Sequence, residues 1–232
     1  MNPTDTARRD RVTVTGPDTW TFLQSLLSQD VDGMTEGERR MTMLLTPQGK
    51  VDVYAGLTRR GDDAVLDTDP AWGPRLVESL GRFKIRTKVE ITLDPAPAVD
   101  AAALAAEEAA RIGAGVPRLG VDLDDSVIPQ EAFLEVDAVS FTKGCFVGQE
   151  LVCRIDSRGH VNRFLRHVVP EDPSTTLPVG AEVVVADKVV GTITSSAPGI
   201  ALAYIRREVD PPADVTVRSG STAVPATVQP TA

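Results

Sequence analysis

The chain has 232 residues, enough for one large domain or two modest ones, and its 42% hydrophobic and 25% charged residues are ordinary for a globular protein. No apolar run approaches the roughly 20 residues of a membrane span, and two cysteines rule out a disulfide framework. A net charge of −9 argues against a broad nucleic-acid-binding surface, which needs a basic face.

The opening MNPTDTARRD lacks the apolar stretch of a secretory signal, so reduced thiols in the cytoplasm are expected. Arg11 to Thr15 alternates like a strand, Gly16 and Pro17 break it, and Asp18 is placed to cap a helix. Leu23, Leu26, Leu27 and Val31 recur at helical spacing and should face a core. Three strand-like runs follow, separated by turns at Pro47-Gln48-Gly49 and Gly61-Asp62-Asp63. A short helix is expected after Pro74, and KIRTKVEITLD alternates like another strand. The resulting β-α-β-β-β-α-β order predicts an antiparallel sheet with segregated helices, an α+β design.

PAPAVD reads as a connector and AAALAAEEAARI as a surface helix of high intrinsic propensity. The stretch PEDPSTTLPVG from Pro170, with three prolines and a Ser/Thr cluster, is the expected boundary. It divides an α+β region over 1–169, with a subdivision near 94–100, from a domain over 170–232. The short β-branched runs of that second domain fit a small barrel or sandwich.

The octet KGCFVGQE, Lys143 to Glu150, carries the densest chemistry. Val147, Leu151, Val152 and Ile155 fall at helical spacing, which puts Cys145 just before a helix N-terminus. Unsatisfied N–H groups there, with Lys143 beside the thiol, form a recipe for a reactive thiolate. A small inert cysteine at a tight turn, flanked by glycines needed only for backbone geometry, satisfies the same pattern. Cys153 reads as a semi-buried helix residue beyond disulfide reach. Lys143, Arg154, Arg158, Arg163 and Arg166 outnumber Glu150 and Asp156 in one segment of an acidic chain. That excess suggests either a site for a small anion or a solvated charged face. His160 and His167 do not stand at metal-ligand spacing from Cys145, and one monomer has too few thiols to hold an ordinary iron–sulfur cluster. No Walker loop or GxGxxG follows a strand.

The octet resembles the Lys-Gly-Cys-Tyr/Phe-x-Gly-Gln-Glu signature of the YgfZ family of folate-binding proteins, relatives of the glycine cleavage T-protein, an aminomethyltransferase. TGPDTWTFLQSLLSQDV, LLTPQGKV, RFKIRTKVEI, RIGAGVPRLGVD, IPQEAFLE and RGHVNRFLR resemble other family segments, so the likeness covers most of the chain. It implies a T-protein-like fold, with ferredoxin-like α+β units around a central opening and a C-terminal antiparallel β-barrel. It also implies tetrahydrofolate, or a one-carbon derivative, as cofactor and a role in iron–sulfur cluster maturation or repair. Clients would be iron–sulfur enzymes, including those that modify tRNA. From the residues themselves, the acidic charge argues against a direct nucleic-acid partner, the lack of a long apolar run against a membrane, and the lack of coiled-coil heptads is in keeping with a monomer. Alternatives are a one-carbon transferase and a thiol redox sensor.

On this resemblance Cys145 is the working residue and Lys143 its neighbour. Gly144, Phe146, Gly148, Gln149 and Glu150 surround a cofactor whose anionic tail draws on Arg86 and Arg154, with Lys88 also a candidate. Glu131 is a candidate carboxylate that reads more readily as a loop or cap acid. The chain departs from the transferase at two places. Gly113 stands where the T-protein has its pterin-binding glutamate, and Asp52 is at most one member of the T-protein's Asp-Asp pair. Aminomethyl transfer is therefore disfavoured.

Overall fold

The computed structural model describes residues 8–98 and 100–231, with the Arg158 side chain left out. The reading of the N-terminal stretch over residues 1–7, and the place of Arg158 in the basic segment, lie outside the described residues.

The chain opens with β1 (Asp10–Thr15) and α1 (Thr19–Leu26), followed by β2 (Arg39–Leu45), β3 (Val51–Arg60) and β4 (Asp63–Thr68). Then come α2 (Gly73–Gly81) and β5 (Glu90–Asp94), which completes the β-α-β-β-β-α-β order expected from the alternation. The five strands form one antiparallel sheet in the order β2-β3-β4-β1-β5. Its buried face is made by period-two positions such as Val12, Val14, Val53, Leu57 and Leu66, covered by Leu23, Leu26 and Leu27 of the first helical segment. Gly16, at φ +118°, allows the turn into α1, because a Cβ there would collide with the Lys88 carbonyl.

The strand expected over KIRTKVEITLD is shorter than its alternation suggests. Only Glu90–Asp94 pairs, because its neighbour β1 ends at Thr15 and leaves residues 84–89 no strand to pair with. Arg86 sits at φ +61°, outside any strand conformation.

Beyond the connector lies α3 (Ala101–Gly113), N-capped by Asp100, whose side chain accepts from the Ala103 N–H at 2.8 Å. Its first six residues are exposed and Ile112 anchors its end. A 3-10 turn (Pro129–Glu131), the single-turn helix α4 (Glu135–Ala138) and α5 (Gln149–Arg158) carry the chain to the second unit. That unit is a closed barrel of β6 (Arg163–Pro170), β7 (Glu182–Val185), β8 (Lys188–Ala197), β9 (Ile200–Arg206), β10 (Ala213–Ser219) and β11 (Thr222–Gln229). The order around it is β10-β11-β6-β9-β8-β7.

The Pro-rich stretch from Pro170 is thus a connection inside the barrel, and β6 precedes it. β6 pairs with both β9 and β11, so closure of the barrel requires it. Val168, Ile193, Ala203, Ile205, Val215 and Val228 belong to the barrel's own core. Leu165, Leu202 and Tyr204 alternate to the outside and join the larger core beneath the sheet.

Asp122, 2% exposed, ties the two units together. One carboxylate oxygen accepts from Thr194 and Ser195 of β8, and the other accepts from the Arg111 guanidinium at 2.7 Å and the Arg118 N–H at 3.0 Å. Arg111 also holds Glu108 and Ser195. No helix among the described residues is long and apolar enough to cross a membrane.

Candidate functional site

The thiol segment is built against the end of α1. That helix has no basic residue in its last turn, so its final carbonyls need donors from elsewhere. Lys143 supplies them, more than a hundred residues along the chain. Its Nζ donates to the carbonyl oxygens of Gln24 at 2.7 Å, Leu27 at 2.7 Å and Gln29 at 2.9 Å. The segment before it is stitched to the same place. Ser28 Oγ donates to the Ala138 carbonyl at 2.6 Å, the Ser140 N–H donates to the Ser28 carbonyl at 3.0 Å, and Gln29 Nε2 donates to the Asp137 carbonyl at 2.8 Å.

Lys143 thus carries a structural commitment that the sequence expectation did not include. All three ammonium protons are committed to backbone oxygens, which leaves none to donate to a thiolate. Burial pushes this amine down to about 8, against the attraction of Asp30 and Asp32.

After the thiol the chain is fixed again. The Phe146 ring is buried in the core, with the Lys143 ammonium 5.6 Å from its centroid. Gly148 precedes α5 at φ +78°, and a Cβ there would lie 2.5 Å from the Thr46 carbonyl at the β2–β3 hairpin. Between these anchors Gly144 and Cys145 are exposed, and Gly144 has nothing within 4 Å of its Cβ direction. Among the described residues no hydrogen bond reaches Cys145 Sγ. Its thiol is presented by packing on either side, not held by polar contacts of its own. Cys153, half-buried on α5, is also a free thiol.

The other predicted residues do not converge on one spot. Gln149 and Glu150 open α5, with Glu150 exposed in its first turn, where an acid suits the dipole. Arg154 is exposed further along that helix. Glu131 is 8% exposed and grips Arg163 of β6 through both oxygens, at 3.1 and 3.2 Å, so its carboxylate acts as a tie to the barrel. The loop that carries Arg86 is bonded at the start of α1, where Asp18 accepts the Lys88 N–H at 2.7 Å. Lys143 holds the other end, about 12 Å away along an eight-residue helix.

Asp52 is also occupied. Its Oδ1 takes Arg75 at 2.7–2.8 Å and its Oδ2 accepts from Ser79 Oγ at 2.6 Å. Gly113 is exposed at the end of α3 with open space around it. A cavity of about 410 Å³ lies beside Asp52, walled by Trp72, Arg75, Leu123 and Asp124. A second, of about 350 Å³, lies between Arg8, Arg9 and the α3 side chains Leu104 and Glu108. Neither is lined by any residue of the thiol segment or α5. Among the described residues no group of three or more His, Cys, Asp or Glu is arranged to hold a metal ion.

Sequence reasoning missed Ser28 and Gln29, which hold the thiol segment. The available signal was a polar Ser-Gln pair directly after Leu26-Leu27, at a helix end with no basic residue. It also missed Glu135 of α4, whose Oε2 is buried with no partner among the described residues. Burial, with the Asp156 charge adding to it, raises this carboxyl above its usual range. The protonated form is favoured in the folded chain, so the associated stability is present below the unfolded value of 4.5 and lost as pH climbs through the folded value. Glu135→Gln is expected to raise the urea midpoint at neutral pH. Its advantage over wild type should shrink toward zero as the pH is lowered past the carboxylate range; a constant gap would show that charge is not the cause.

No protein-family model matches the chain. It is 24% identical over 210 residues to the mitochondrial iron–sulfur cluster assembly factor IBA57 homologue of Pyricularia oryzae, and 29% identical over 216 residues to that of Mycosarcoma maydis. Each match covers 67% of this chain and 54% of the relative, so the chain spans about half the length of these relatives. A 95-residue stretch is 35% identical to an uncharacterized protein of Haemophilus influenzae, covering 38% of this chain and 34% of that one. Among solved structures, the glycine cleavage system aminomethyltransferase T of Bartonella henselae superposes with a TM-score of 0.82 at 16% identity, over 95% of this chain and 82% of that one. An α+β region followed by an antiparallel barrel, in the arrangement of the glycine cleavage T-protein, is the fold of this chain.

Proposed function

We propose that this chain is an accessory factor in iron–sulfur cluster maturation or repair, with Cys145 as its working thiol and iron–sulfur enzymes, tRNA-modifying ones included, as clients. The observation that carries the proposal is the presentation of Cys145. One exposed sulfur protrudes from a segment pinned on one side by Lys143 and Ser28 and on the other by Phe146 and Gly148. It lies outside the small-molecule-sized cavities beside Asp52 and α3, so it is suited to meet a macromolecule or a cluster carried by one. The likeness to iron–sulfur assembly factors supports the same reading. One thiol cannot hold a cluster alone, so further ligands would come from the client or carrier. The reduced thiols fit a cytoplasmic setting.

Tetrahydrofolate binding belongs to this reading on the strength of the fold. Arg154, exposed on α5 directly after the thiol segment and without an ion pair among the described residues, is one cation available for a glutamate tail. The residues that would orient a pterin for one-carbon transfer do not fit that task. Both oxygens of Asp52 are engaged, Glu131 is spent on Arg163, and Gly113 offers no carboxylate. The transferase alternative is therefore disfavoured, and no catalytic step is assigned to the coenzyme.

In a strain that lacks this protein, Cys145→Ser is expected to leave iron–sulfur enzyme activity at the empty-vector level. Stability should change by less than about 0.5 kcal/mol, as at other exposed sites. Full restoration of activity by the variant would remove the thiol from the mechanism. Calorimetric titration with tetrahydrofolate checks the coenzyme separately, and absence of heat would remove folate while leaving the thiol reading intact.

A further inference from the structure

One face of α3 borders the cavity of about 350 Å³, which the thiol reading does not use. Leu104, Glu107, Glu108 and Arg111 recur at helical spacing, and all four line the space. The other walls come from the residues before β1, from Pro70 after β4 and from the segment 116–118 beyond α3. Leu104 is 41% exposed there, an apolar side chain that the fold itself leaves uncovered. The cavity shares no wall residue with the one beside Asp52.

The charged side chains of these walls are unequally satisfied. Asp69 accepts from Arg9 at 2.6 Å and from the Leu119 N–H at 2.8 Å, one bond to each oxygen. Both Glu108 oxygens accept from Arg111, and one of them also accepts from Arg118 at 2.8 Å. Arg111 spends all five N–H donors, on Glu108, Val116, Asp122 and Ser195. Arg8 and Arg118 are left with donors to spare. The Arg118 guanidinium spends only Nη1, on Glu108. Arg8 donates from Nη1 to the Pro97 carbonyl at 2.8 Å, but its Nε is shut off from solvent and has no hydrogen-bond partner among the described residues. Glu107 lies 3.7 Å from that Nε, close enough for charge attraction and too far for a hydrogen bond. A buried donor without an acceptor is costly, and an acceptor brought by a ligand would relieve it.

We infer that this cavity binds a small molecule that carries a carboxylate on an apolar body. The carboxylate would accept from Arg8 and Arg118, while the body would cover Leu104 and lie against Pro70, Val116 and Pro117. The size suits such a ligand, since small-molecule cavities begin at about 300 Å³. A phosphate ester fits less well, because its second charge would meet Asp69, Glu107 and Glu108 in the same walls.

The test is calorimetric titration of the full chain with octanoate. Saturable binding is expected, and octanol, with the same body and no charge, should bind about tenfold more weakly. Arg8→Met/Arg118→Met removes the spare donors and should weaken octanoate binding about tenfold or more. Leu104→Ser leaves both arginines in place and should weaken it several-fold, and melting curves would confirm that both variants fold. Cys145→Ser should bind as wild type does, and tetrahydrofolate should not displace octanoate, which keeps this site separable from the thiol and from the coenzyme. The inference is overturned if octanoate does not bind, if octanol or octyl phosphate binds as tightly or more tightly, or if both variants bind as wild type does. Displacement by tetrahydrofolate would also overturn it, because the cavity would then belong to the coenzyme.

Discussion

Arg111→Met is expected to destabilise the chain by about 3–5 kcal/mol, the range for breaking a buried ion pair from one side. The physical reason is the Asp122 side chain, which is fully shielded from solvent and faces the guanidinium at 2.7 Å. Thr194, Ser195 and the Arg118 N–H would still donate to it, but none of them carries a full charge. Glu108 would lose its two-pronged partner as well. The removed side chain also bridges α3 to β8, so the barrel would lose part of its attachment to the sheet. Urea unfolding followed by circular dichroism measures the loss. Arg111→Met combined with Asp122→Leu should be less destabilised than Arg111→Met alone, because the stranded charge is gone. A single variant within about 1 kcal/mol of wild type would show that the hydroxyls satisfy Asp122 without the cation.

The features that local pattern controls were legible in the sequence. Leu23, Leu26, Leu27 and Val31 are all buried, the turns at Pro47–Gly49 and Gly61–Asp63 join strands, and α3 and α5 form where their spacing and propensity place them. The misjudged features depend on partners distant in the chain. KIRTKVEITLD alternates along its length, but a strand needs a neighbour, and β1 stops at Thr15. Pro170 looks like a boundary because prolines end local structure, while β6 belongs to the barrel through pairing with β9 and β11. The site follows the same division. The glycine-flanked cysteine was visible in eight letters, but its exposure was not, since the same letters fit an inert cysteine at a tight turn. The commitments of Glu131 to Arg163 and of Lys143 to three carbonyls were not, since no local period records a hydrogen bond across 32 or 119 residues.

Lys143→Met tests whether the lysine of the octet serves the fold or the thiol. Methionine keeps the length and apolar stem but donates nothing, so the carbonyls of Gln24, Leu27 and Gln29 lose their shared donor. An unsatisfied buried polar group costs about 1–3 kcal/mol. This side chain is half-buried and water can reach part of the gap, so a total of about 2–4 kcal/mol is expected. Lys143→Arg should not rescue fully, because a planar fork cannot point three donors at oxygens converging on one nitrogen. Iodoacetamide labelling of Cys145 in the folded variant provides a second readout. If the lysine only positions the segment, its loss frees the loop between Ser140 and Phe146, and labelling should be as fast as in wild type or faster. If the ammonium instead sustained a thiolate, labelling would slow several-fold at neutral pH with little loss of stability. The three carbonyl contacts favour the first outcome, because an ammonium with every proton committed to the end of α1 has none left for a neighbouring sulfur.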